Sequence, residues 1–122
     1  MGWLEDEKKK KAEQSQKKEW EKRLADSKIS IHIFRIIEKV QPQLLWKFGL
    51  QQNKKTGWLE VRRISPDGRG DIHWFQLEAD QDGIHLNFAI PHALPTQIID
   101  LDGVTDEMIM EWLGTIVTGK KQ

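Results

Sequence analysis

Four short stretches between residues 46 and 90 alternate large apolar with polar or small side chains, and a single hairpin register aligns all of their apolar faces. Trp46, Phe48 and Leu50 form the first set, Leu59 and Val61 the second, Phe75, Leu77 and Ala79 the third, and Leu86, Phe88 and Ile90 the fourth. A period of two is that of a strand with one face in a core. Turn-forming residues separate the sets: Lys54-Lys55, then Pro66-Asp67-Gly68-Arg69-Gly70, then Asp82-Gly83, the last suited to a type I′ hairpin. Tight loops at these places set Leu50 opposite Leu59, Phe48 opposite Val61, Val61 opposite Phe75, Leu59 opposite Leu77, Ala79 opposite Leu86, Leu77 opposite Phe88 and Phe75 opposite Ile90. A slip of one residue would turn a strand's whole apolar set to the other face. The agreement therefore predicts a four-stranded antiparallel meander, closed by Pro91 and Pro95.

Helical periodicity flanks the meander. Ile29, Ile33, Ile36, Ile37 and Val40 recur at spacings of three and four, with Asp26-Ser27 as the expected N-cap and Pro42 as the stop. Met108, Ile109, Trp112, Leu113 and Ile116 repeat the pattern after Thr105 or Asp106. Two such amphipathic helices are what one sheet face needs to be covered. The expected class is α+β, in the order α–α–β–β–β–β–α, with a single domain over 29–118 and a frayed tail over 119–122.

Residues 1–28 read differently. They are rich in Glu, Lys, Gln and Ala, which favours a helix, but Trp20 and Leu24 are the only convincing apolar pair. This segment is expected to be a charged helical extension, an appendage that stays solvated unless a partner covers it.

The chain has 122 residues, enough for one core, and no cysteine, which excludes disulfides and Cys-ligated metal centres. No apolar run is long enough to span a membrane, the start lacks an apolar leader, and Asp6 breaks the myristoylation pattern, so the cytoplasm is the expected address. The formal net charge of zero conceals a division. Residues 31–70 hold eight Lys/Arg against three acids, and 71–122 hold two lysines against nine acids. A molecule charged in this way can steer a partner or pair head to tail with itself.

The segment Ile98-Ile99-Asp100-Leu101-Asp102-Gly103-Val104 resembles the first signature of haloacid dehalogenase-type phosphatases, an apolar strand followed by Asp-x-Asp-Gly. The resemblance implies a nucleophile at Asp100 and a general acid and magnesium ligand at Asp102, but it stops at Val104. A turn ahead of a helix, with acids near the positive N-terminus, accounts for the same residues. The spacing fails as a calcium loop.

In the expected register His73 faces His92, beside Arg63 and then Trp46. Two imidazoles can bind a metal or supply a base, yet no third ligand stands in the row, and polar residues rimming a core have the same appearance. His32 and His85 have no comparable company. The outward face brings together Trp58, Glu60, Arg62, Ile64, Ile72, Trp74, Gln76 and Glu78, with Arg62 opposite Trp74 at cation–π range. Uncovered, this is a partner surface. Lys54, Lys55 and Arg69 nearby would also suit stacked bases and phosphates, although no nucleic-acid signature is present. Arg69-Gly70-Asp71 and Lys8–Lys11 carry no further argument.

No motif combines nucleophile, base and oxyanion donor. The expected function is thus a non-catalytic protein-binding module of adaptor, inhibitor, immunity or chaperone-like kind, acting through the outward aromatic sheet face, the charged N-terminal helix or both, without cofactor or metal, which a second copy could join as a homodimer. RNA or single-stranded DNA binding is the alternative, and a small enzyme built on His73 and His92 the third.

Overall fold

The computed structural model describes residues 15–67, 70–91 and 94–119. Helix α1 covers 15–26 of these, and α2 spans Ile29–Val40. A five-stranded antiparallel sheet follows, its strands adjacent in chain order: β1 Lys47–Gln52, β2 Leu59–Ile64, β3 Gly70–Asp80, β4 Gly83–Ala89 and β5 Gln97–Ile99. Helix α3, Asp106–Thr118, closes the domain. The α+β meander is as expected, with one strand more.

The extra strand is β5, which pairs with β4 through Ile84–Ile99, His85–Ile98 and Leu86–Gln97. Three residues are too few to show a period, and the preceding prolines read as an end. Two of the three hairpins, β1–β2 and β3–β4, also differ from expectation, each by two residues. Ala79 lies opposite Ile84, Leu77 opposite Leu86 and Phe75 opposite Phe88, so the β3–β4 turn is Gln81-Asp82 and not Asp82-Gly83. A two-residue slip leaves the same face inward. It also pairs Ile84 with Ala79 and buries it fully, worth about 2 kcal/mol. Leu50 likewise faces Val61, and Phe48 faces Arg63. The β1–β2 loop is longer than Lys54-Lys55 because Asn53 builds it: its side chain accepts from the amides of Lys55 (2.8 Å) and Thr56 (3.1 Å), and its own N–H donates to the Trp58 carbonyl at 2.7 Å. Between β2 and β3 the expected pairs hold (Leu59–Leu77, Val61–Phe75, Arg62–Trp74), but a bulge beyond Arg62 places Ile64 opposite Gly70.

The core lies between the sheet and α2 with α3. Ile33, Ile36, Ile109 and Ile116 meet Leu59, Val61, Phe75, Leu77, Ile84 and Leu86, all essentially without exposure. Phe75 packs edge-on to Trp112 at 5.7 Å and tilts against Phe88 at 5.9 Å. Thr105 caps α3 as expected, its hydroxyl accepting from the Met108 amide at 3.2 Å. The N-cap expected at Asp26-Ser27 is not formed. Lys28 takes that position without a side-chain bond, and Ser27 instead donates to the Leu24 carbonyl at 2.7 Å, closing the end of α1.

The described part of α1 is docked. Leu24 is fully buried in the core and Trp20 packs against it. Gly57, with φ of 76°, lets the β1–β2 loop pass so close to α1 that a Cβ there would stand 2.4 Å from the Ala25 nitrogen. The helix's one apolar pair is what joins it to the domain.

Candidate interaction surface

The helices cover one face of the sheet, and the other face carries the side chains singled out from the sequence. Cross-strand register arranges them in rows: Gly49–Arg62–Trp74–Ala89, then Gln51–Glu60–Gln76–Asn87, then Glu78–His85–Ile98. Trp58 stands ahead of β2 at the same end as Glu78, where Lys17 and Glu21 of α1 share its cleft. The Arg62 guanidinium lies 5.9 Å from the Trp74 ring centroid and donates to Glu60 at 3.1 Å. Glu60 is buried and Arg62 about two-fifths exposed, so much of the arginine's charge is held within the molecule.

Two expectations change here. Trp58, Ile64 and Trp74 are half-buried and not openly exposed; among the described residues the large apolar side chains that stand out in solvent are Ile31, Phe34, Leu45, Ile98 and Met110. The backbone of Ile72 runs in β3, but its side chain falls outside the described residues. Lys54 and Lys55 are exposed in the β1–β2 loop, at the opposite end of β2 from Ile64, and Arg69 lies outside the described residues. The lysines and Arg62 therefore do not form one basic patch.

The polar row of Arg63, His73 and His92 becomes something else. His92 lies outside the described residues. Arg63 and His73 are not cross-strand partners, because the bulge falls between them. Both reach the last turn of α3: Arg63 donates to the Val117 carbonyl, and His73 Nδ1 lies 3.2 Å from the Ile116 carbonyl. The Arg63 guanidinium also stacks on Trp46, 4.1 Å from the ring centroid. Helix C-termini leave carbonyls unpaired and carry partial negative charge, which a cation and an imidazole N–H satisfy. Gly119, left-handed with φ of 69°, completes the cap and leaves room for the His73 ring. The group is an end-cap for α3, and no sequence spacing announces it.

The two histidines expected to lack company have partners. His32 Nε2 is 2.5 Å from Asp106 Oδ1, linking α2 to the first turn of α3, and His85 Nε2 is 2.7 Å from Asp82 Oδ1 in the β3–β4 turn. The hydrogen bond from each histidine holds its aspartate below the ordinary value of 3.8. Asp80, Asp82 and His85 bring their donor atoms within 4.8 Å of one another and could hold a divalent ion. As it stands, the His85–Asp82 bond and the Gln81 amide, which donates to Asp80 at 2.8 Å, satisfy that turn.

Asp100 follows β5 and opens a short turn. The strand before it is an antiparallel edge strand, unlike the central strand of a doubly wound sheet. Its carboxylate accepts from the Asp102 amide at 3.1 Å and caps the short turn Leu101–Gly103. A shallow apolar groove of about 310 Å³ between Val40, Leu44, Met110, Leu113 and Val117 escaped sequence reasoning, since it depends on how α2 and α3 meet. Among the described residues no helix is long and apolar enough to cross a membrane. No protein-family model matches the chain, and comparison with curated proteins and with solved structures finds no match.

Proposed function

We propose that this protein is a non-catalytic binding module, of adaptor, inhibitor, immunity or chaperone-like kind, that holds another protein on the open face of its sheet. The observation that carries this reading is the one-sided sheet. Its other face, left uncovered by the described residues, mixes half-buried Trp58, Ile64 and Trp74 with Arg62 and a row of amides, Gln51, Gln76 and Asn87. Aromatic anchors among hydrogen-bonding groups are the usual make-up of a protein interface core. Nucleic acid fits this face less well, because Glu60, Glu78 and Asp80 outnumber the cations Lys47 and Arg62 on it. Catalysis by Arg63 and His73 is disfavoured by their engagement with the end of α3.

Affinity purification of tagged protein from its native cells, with and without nuclease, tests the reading. A stoichiometric protein that survives nuclease and is lost with Trp74→Ala, but kept with Met110→Ala in the groove, supports it. Partners that vanish with nuclease would replace it with nucleic-acid binding. A partner indifferent to Trp74→Ala would move the interface elsewhere.

A further inference from the structure

The open face separates its charges along the strands. Lys47, opposite Ile64, and Arg62 stand toward the β2–β3 connection, while Glu78 and Asp80 stand toward the β3–β4 turn. Between them runs the row Gln51, Glu60, Gln76 and Asn87, in which the only charge, on Glu60, is paired with Arg62. The same face carries Ile98 in β5, 60% exposed, and the half-buried Trp58, Ile64, Trp74 and Ala89.

Such a face complements itself in one orientation. Two sheets stacked about a two-fold axis along the strands would lay cations over or beside cations. Turning the axis across the strands reverses one copy end for end, and each basic end then covers an acidic one. Symmetry makes every such contact twice, and two twisted sheets pack aligned in this way about 10 Å apart. We infer that the occupant of the open face is a second copy of this chain, stacked sheet on sheet with strands reversed, so that Lys47 of each copy lies over the Glu78–Asp80 end of the other. The inference rests on the reading of this face as a protein-binding surface and names its resting partner. A further protein would then bind by displacing the second copy.

The test is sedimentation velocity of the full chain over about 1–100 µM, a range that brackets micromolar association, at about 50 mM and about 500 mM salt. A dimer that weakens with salt is expected. Lys47→Glu and Glu78→Lys should each weaken it at least about tenfold by setting like charges across the interface, and the two together should restore it. Both side chains are exposed, so thermal melts of the variants should match the parent. A monomer throughout the range, a dimer insensitive to salt, or single changes that the double does not repair would overturn the inference. A monomer that still captures another protein through Trp74 would sink the inference and leave the proposed function standing. A monomer with no Trp74-dependent capture would sink both.

Discussion

Leu24→Ala and Gly57→Ala test whether α1 belongs to the cooperative fold. Leu24 is fully buried among the core residues, and truncation of a buried leucine costs about 2–5 kcal/mol through lost transfer energy and the cavity left behind. On a solvated appendage the same change would cost about 0.5 kcal/mol or less. Gly57→Ala acts on the same joint from the other side. A left-handed conformation costs a non-glycine residue about 1–2 kcal/mol. The new methyl would also stand 2.4 Å from the Ala25 nitrogen and 2.8 Å from the Leu24 carbonyl carbon, both backbone atoms that cannot swing aside. The expected cost is about 2–4 kcal/mol once overpacking is included. Because Gly57→Ala forces the loop and α1 apart, it removes part of what Leu24 contributes, and the double variant should be more stable than the sum of the two changes implies. Urea unfolding followed by far-UV circular dichroism and tryptophan fluorescence measures all four corners of the cycle. For a domain near this size, a loss of about 3 kcal/mol lowers the melting temperature by about 12 °C or more. A Leu24→Ala cost near zero, or strict additivity, would refute the docking of α1.

Three further outcomes are expected. Arg63→Met removes the donor to the Val117 carbonyl and the stack on Trp46, and should cost about 2 kcal/mol in urea unfolding; no loss would deny Arg63 its role as the cap of α3. The Gln52 amide nitrogen is shut off from solvent with no hydrogen-bond partner among the described residues, so Gln52→Met should raise stability by about 1 kcal/mol, and a destabilised variant would show that the amide is in fact satisfied. The hydrogen bond from His32 lowers the Asp106 carboxyl below 3.8, with Lys39 adding a smaller pull. A depressed acid stabilises the fold above its unfolded value, and that contribution fades as pH falls through the folded value. Wild type should therefore exceed Asp106→Asn in thermal stability at neutral pH and converge on it below 3.8, whereas a gap that persists in acid would assign the effect to another interaction.

The strands, the two amphipathic helices and the inward face were legible because each rests on local periodicity. Phe75, Leu77, Ile33 and Ile116 announce their burial by spacing alone. Periodicity of two is, however, blind to slips of two, and so Ile84 and its pairing with Ala79 were missed. It is also blind to a three-residue strand, which hid β5. The open face was legible as a list of side chains, since alternation assigns them to one side. How far Trp58 and Trp74 emerge from it was not, because exposure depends on neighbouring strands.

The histidines mark the boundary most clearly. His73 stood in a suggestive row, yet a bulge and the end of α3 turn it into part of a helix cap. His32 and Asp106 are 74 residues apart and meet only because α2 and α3 pack side by side on the sheet. Alternation and helical spacing are properties of neighbours along the chain, and the sequence by itself determined whatever follows from them: the meander, its covering helices and the side chains of each face. The fifth strand, the docking of α1 and every polar partnership between distant residues depend on how whole elements settle against one another, and only the tertiary structure decided those.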